Sequence, residues 1–142
     1  MIQNSTKVKR RLIIGLVGLI LIISLSIGLW FFIRTPEERY VDLNLKATTW
    51  KTDCIQIGND YIDIESAFMK KQEGALLEAK FYPVFDYVKL TFRNGVEVFP
   101  YKVTDFNAVV LDDEFYDWTI CYYEDQVLLI NTGSTNYFLK LK

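Results

Sequence analysis

Tyr87-Val88-Lys89-Leu90-Thr91-Phe92-Arg93-Asn94-Gly95-Val96-Glu97-Val98-Phe99-Pro100-Tyr101 alternates apolar and polar residues around an Asn-Gly pair. A period of two marks a half-buried strand, and Asn-Gly supplies the two positive-φ residues of a type I′ hairpin turn. With Asn94-Gly95 as a two-residue loop, Phe92 faces Glu97, Leu90 faces Phe99 and Val88 faces Tyr101. That register builds one mostly apolar face. Pro100 has no N–H for a ladder, so the second strand is expected at a sheet edge or with a bulge at that position.

On either side of this hairpin, strands are expected at 48–57, 61–64, 108–111, 118–123, 127–131 and 137–142. Turn-rich connections lie at 124–126 and 132–135. Residues 66–79 differ, being rich in helix formers with Ser66 as N-cap. Phe68, Ala75, Leu76 and Ala79 share one face of that helix, and Gly74, costing about 1 kcal/mol in a helix interior, marks a place where it can break. The segment 35–142 carries 19 aromatic residues, a density suited to strands. The fold expected is a mainly-β (α+β) domain, an antiparallel meander or small barrel with one short helix.

The other end of the chain has a different character. The mean hydropathy of +0.11 is high beside 24% charged residues, because residues 12–33, LIIGLVGLILIISLSIGLWFFI, carry no charge at all. As a helix they span about 33 Å, enough for a hydrocarbon core of about 30 Å. Trp30, Phe31 and Phe32 close the run where interfacial rings are favoured. Lys7, Lys9, Arg10 and Arg11 precede it, whereas Arg34 and Arg39 follow it among Glu37 and Glu38. The positive-inside bias predicts a single-pass protein of the cell (inner or plasma) membrane, its N-terminus cytoplasmic and its C-terminal domain extracytoplasmic. A cleaved signal peptide is the competing reading, with Ser24-Leu25-Ser26 as the cleavage site, but the apolar run continues well past a signal core. Gly15/Gly18 and Ser24/Gly28 could let another helix approach closely, but they lie on different faces and small residues are common in membrane helices.

The expected organisation is therefore a basic stub at 1–11, a transmembrane helix at 12–33, a juxtamembrane linker at 34–47 leading into the domain, and a β-rich extracytoplasmic domain at 48–142. Through residue 34 there are five basic residues and no acid (+5). From 35 onward there are 11 basic and 18 acidic residues (−7). An acidic exterior domain argues against nucleic acid as a partner. The bilayer is one expected partner, and a membrane or envelope protein the other.

Trp50-Lys51, Leu90-Thr91-Phe92-Arg93-Asn94-Gly95-Val96, Trp118-Thr119-Ile120, Val127-Leu128-Leu129-Ile130 and Tyr137-Phe138-Leu139-Lys140-Leu141 together resemble the small lipocalin-like domains of bacterial envelope proteins. The resemblance covers residues 48–142. It departs from the pattern in having no Gly before Trp50, and a membrane helix where a lipid-anchored Cys is usual. It implies a barrel-like meander and no particular reaction.

Chemical signatures are few. The chain has no His, which removes histidine triads and most catalytic zinc sites. No P-loop, Rossmann or Gly-x-Ser-x-Gly fingerprint occurs, and the domain's serines are Ser66 and Ser134 alone. Cys54 and Cys121 sit in expected strands in an oxidising compartment; a disulfide and two inert buried thiols are both open readings. Asp112, Asp113, Glu114 and Asp117 form an acidic interaction patch beside Trp118, without EF-hand spacing, and a solvated acidic loop is the plainer reading. Asp60, Asp63 and Glu65 form a smaller group. No catalytic residue, metal ligand or cofactor is expected. The leading function is a membrane-anchored, non-catalytic binding or assembly module, an accessory subunit or immunity-like factor of the envelope. A small apolar-ligand binder with a lipocalin-like cavity comes second, and a carboxylate-based hydrolase third.

Overall fold

The computed structural model describes residues 2–111, 118–123 and 126–142. The chain divides into two compact units, Met1–Thr35 and Pro36–Lys142.

The first unit is one helix, α1 (Ile2–Ile33), so the basic stub is the first turns of the same helix that carries the apolar run. Ser5–Ile33 is long and apolar enough to cross a membrane, and none of its most apolar window is buried. Within the charge-free run both serine hydroxyls are satisfied inside the helix: Ser24 donates to the Ile20 carbonyl at 2.9 Å and Ser26 to the Ile22 carbonyl at 2.8 Å. At the C-terminal end Trp30 meets Phe31 edge-on, and the Arg34 guanidinium lies 5.9 Å from the Trp30 ring centre.

The second unit begins with α2 (Pro36–Leu45), then β1 (Thr49–Ile57), β2 (Asp60–Asp63), α3 (Ala67–Lys70) and β3 (Leu76–Phe81). It continues with β4 (Tyr87–Phe92), β5 (Gly95–Thr104), β6 (Asn107–Val110), β7 (Thr119–Tyr123), β8 (Val127–Asn131) and β9 (Thr135–Leu141). Among the described residues eight strands close a barrel in the order β1-β3-β4-β5-β6-β7-β8-β9, every pairing antiparallel, with β9 returning to β1. The ninth strand, β2, lies outside this ring as a hairpin partner of β1.

Strand β1 has two partners along one edge. Thr49–Lys51 pair with β3, whereas Cys54–Ile57 pair with β2. A bulge between Thr52 and Cys54 marks the change. There the ladder to β3 is lost, and the buried Thr52 hydroxyl replaces it by donating to the Leu76 carbonyl at 2.8 Å. The extra residue, Asp53, also keeps Trp50, Thr52 and Ile55 on the buried face despite the odd spacing.

Both ends of the barrel are plugged. Val41 and Leu45 of α2 are 1% exposed and join the core with Trp50, and α2 packs on β5, β6 and β7. The helix is pinned to β1 by a relay: Trp50 Nε1 donates to Thr48 Oγ1 at 2.8 Å, and Thr48 Oγ1 donates to the Leu45 carbonyl. At the opposite end α3, capped by Ser66 accepting from the Met69 N–H, lays Met69 over Ile55, Ile64 and Ala75.

The structure corrects the sequence-based expectations in four places. Residues 34–47 contain α2 as well as a linker; Pro36 takes the first helical position, where a missing N–H costs nothing. The helix over 66–79 is only its first turn, and Leu76–Phe81 is a strand, because barrel closure needs a ladder between β1 and β4 that outweighs the helix propensity of Ala-Leu-Leu-Glu-Ala. The hairpin register is shifted by two: Phe92 pairs with Gly95, Leu90 with Glu97 and Val88 with Phe99. Its tip is Arg93-Asn94, whose N–H groups donate to the carbonyls of Ala75 and Glu73, and neither Asn94 nor Gly95 has a positive φ. A shift of two preserves which residues face inward, so the apolar face survives. Finally, β5 is neither an edge nor bulged at Pro100. The Tyr101 N–H points to Asp86 on the β4 side, so the donor Pro100 lacks would point to the other side, where β6 has ended at Val110.

Two substitutions test this arrangement. Gly95→Ala meets open space at ordinary φ, so it should leave stability unchanged or raise it by about 0.4–1 kcal/mol, whereas a type I′ turn would lose more than that. Leu45→Ala should lower stability by about 2–5 kcal/mol, as for a barrel leucine, because α2 belongs to the core. Both are read as shifts in the unfolding midpoint of the full chain in micelles.

Candidate functional site

A cavity in the barrel interior would define a ligand site. Alternate inward positions place Trp50, Phe81, Phe99 and Tyr101 among Leu76, Val88, Leu90, Ile120, Leu128, Ile130 and Leu139, all at most 3% exposed. The rings interlock edge to face, Phe81 with Tyr101 at 5.8 Å and Trp50 with Tyr122 at 5.9 Å between centres. Among the described residues these aromatic and aliphatic side chains fill the interior, where the second functional reading expected a lipocalin-like cavity. A cleft of about 250 Å³ remains outside, at the α3 end, between Phe68, Met69, Gln72 and the β9 residues Thr135 and Tyr137. Burial pushes the Tyr137 phenol pKa up, partly offset by a backbone hydrogen bond at Leu76.

Cys54 and Cys121 are free thiols. Both point outward, and they lie in one cross-strand row: Cys54 pairs with Phe138, Phe138 with Leu129, and Leu129 with Cys121. Two whole strands separate them. Three strand spacings put the Cα atoms about 14 Å apart along the sheet, against the roughly 4.4–6.8 Å a disulfide requires. Of the two open readings, the structure has the unbridged one, with half-buried thiols in place of fully buried ones. Burial raises both thiol pKa values, and at Cys54 the Asp53 carboxylate adds to the effect. A raised pKa keeps a thiol protonated and a poor nucleophile at neutral pH.

The acidic patch Asp112, Asp113, Glu114 and Asp117 lies outside the described residues. Of the smaller group, Asp63 accepts the Glu65 N–H at 2.7 Å in a local turn, and Glu65 lies 3.8 Å from Lys70. Among the described residues no three His, Cys, Asp or Glu side chains are grouped to hold a metal ion.

The outer face carries a feature that the sequence concealed. Where β1 changes partners, a cleft of about 330 Å³ opens, lined by Lys51, Asp53, Asp63, Glu65, Lys140 and Lys142. A second, of about 590 Å³, shares Leu141 and Lys142 with it and adds Thr49, Glu78, Lys80 and Lys89. Lys51 stands directly opposite Lys140, and Lys80 opposite Lys89. Like charges in register destabilise a sheet, so barrel stability does not account for these pairs. Two of the five lysines are partly neutralised, Lys140 by Asp53 at 3.0 Å and Lys142 by Glu78 at 3.2 Å. What remains is a lysine belt interleaved with Asp53, Asp63, Glu65 and Glu78; Lys51 also stands opposite Glu78, so the excess of positive charge lies at Lys80 and Lys89. These lysines are spread over 92 positions of sequence, and only the register of β9, β1, β3 and β4 collects them.

No family model matches the chain, and no curated protein does. Among solved structures, an NMR structure of a protein from Burkholderia xenovorans aligns with 77% of this chain and 91% of its own length, at 7% identity and a TM-score of 0.49. No activity is carried over from it.

The thiol geometry gives a direct test. Denatured, non-reduced protein from native membranes should take up two alkyl groups per chain without reductant. In the folded protein the rate of alkylation should rise at higher pH than for a free cysteine, since burial raises both pKa values. Blocked thiols released only by reductant would refute the placement of β1 and β7.

Proposed function

We propose that the chain is a single-pass, membrane-anchored binding or assembly module without a catalytic centre, its barrel held at the extracytoplasmic face as an accessory subunit or immunity-like factor of the cell envelope. One observation carries the reading. An apolar helix with no buried side of its own is joined, through Arg34 and Thr35 only, to a barrel whose interior is already full. Such a helix is suited to lipid, where its backbone groups and the hydroxyls of Ser24 and Ser26 are satisfied internally. A filled barrel has only its exterior to offer, which favours a macromolecular partner over an enclosed apolar ligand. Thiols held protonated, and a domain without His, leave little for nucleophilic or acid–base chemistry.

The basic flank at Lys7–Arg11 supports a cytoplasmic N-terminus. Protease added to cells with a permeabilised outer layer should therefore digest the barrel, and full protection would reverse the topology. The full chain, affinity-purified in mild detergent from native membranes, should retain a stoichiometric membrane or envelope protein. Recovery of the chain alone with a bound small apolar molecule would replace this reading with the ligand-binding one. A mature N-terminus near Ile27 would replace the anchor with a cleaved signal.

A further inference from the structure

Large apolar side chains at the α2 end of the barrel face solvent. On α2, Val41 and Leu45 join the barrel core and Asp42 is buried, while Leu43, on the opposite side, is 83% exposed. In the β3–β4 loop Val84 and Phe85 are 70% and 68% exposed. That loop is fixed to α2: the Lys46 ammonium donates to the Phe85 carbonyl at 2.5 Å and to the Asp86 carboxylate at 2.8 Å. The loop and the helix thus present their apolar residues from one rigid support. The lysine belt occupies the neighbouring strand halves, since Lys80 pairs with Thr49 at the start of β1, Lys89 pairs with Lys80, and the Lys142 N–H donates to the Thr49 carbonyl.

Covalent continuity limits where this end can go. From Ile33 to Pro36 there are three Cα–Cα steps, at most about 11 Å. The polar region of one leaflet is roughly 5–8 Å deep. If α1 spans the bilayer, the start of α2 stays at or just above the headgroups.

We propose that the α2 end of the barrel is itself a membrane-contact surface. Leu43, Val84 and Phe85 insert between lipid headgroups, and Lys80 and Lys89 approach lipid phosphates. The inference rests on the anchor reading above. Apolar tips beside a cluster of lysines match the chemistry of an anionic bilayer surface, in which burial of apolar area and attraction to acidic headgroups add. A protein partner docked on the same tips is the alternative occupant, and it is absent from a bilayer of lipid alone.

The test uses the full chain in nanodiscs of phosphatidylcholine, with and without phosphatidylglycerol. In a Cys54→Ser, Cys121→Ser background a single spin label is placed by Phe85→Cys, Val84→Cys, Ile20→Cys or Ser134→Cys. Collision with oxygen, which concentrates in lipid, is compared with collision with a water-soluble nickel chelate. Labels at 84 and 85 should have an oxygen-to-nickel ratio several-fold above that at 134, and the double substitution Lys80→Glu, Lys89→Glu should reduce it in the anionic discs. If the label at 20 is lipid-embedded while 84 and 85 match 134, the contact surface is refuted and the anchor stands. If the label at 20 is open to nickel, the anchor and the contact surface fall together. If the lysine reversals change nothing in anionic discs, the electrostatic part is refuted.

Discussion

The pairing of β9 with β1 holds the second unit together. Seven register pairs, from Trp50 with Leu141 to Ile57 with Thr135, convert an open meander into a closed ring. Closure removes the exposed edges that an antiparallel sheet would otherwise present. It also dictates the local compromises. β1 must serve β9 along its length while exchanging β3 for β2 on its other side, and the bulge at Asp53 with the Thr52 hydroxyl bond to Leu76 makes that exchange possible.

A closed ring of eight strands is wide enough to fill with side chains and little more. Here it is filled by residues that also anchor the two plugs, Trp50 and Tyr122 beneath α2, Ile55 and Tyr137 beneath α3. The inner sides of both plugs are therefore part of the core, and the barrel's exterior is where its polar character lies. On that exterior Asn131, Asn136 and Gln56 form a hydrogen-bonded amide row across three strands, with bonds of 2.6 and 3.1 Å, while the lysine belt runs nearer the α2 end. The face is polar and in places electrostatically strained, unlike the inside.

Much of the architecture was legible in the sequence. Strand periods located seven strands nearly to the residue, Ser66 capped its helix, and the charge-free run marked the long helix. The errors cluster where tertiary contacts overrule local preference. Asn94-Gly95 reads as a type I′ turn, yet the tip bonds to Glu73 and Ala75 and shifts by two. The reverse occurs at Asp105-Phe106, which has no such signature but takes φ of 50° and 63° between the paired Thr104 and Asn107. A phenylalanine there is strained by about 1–2 kcal/mol; Tyr40 of α2 packs edge-on against its ring at 5.5 Å, a contact between segments far apart in sequence. The lysine belt was illegible for the same reason, since cross-strand neighbours leave no trace in local spacing. Nor could residue types alone say that the aromatic residues fill the barrel.

The strands that close the ring lie far apart along the chain, Thr49–Ile57 and Thr135–Leu141. On a ribosome adding about 5–20 residues per second, β1 waits roughly 4–16 s for its partner. Throughout that interval the edge destined for β9 is unpaired, though the β2 hairpin can already cover part of the other. Most pairings join consecutive strands and can form as the hairpins emerge, but closure of the ring through β1 and β9 is a late, non-local event of the kind that slows folding. The chain is most open to mispairing while it is still being made.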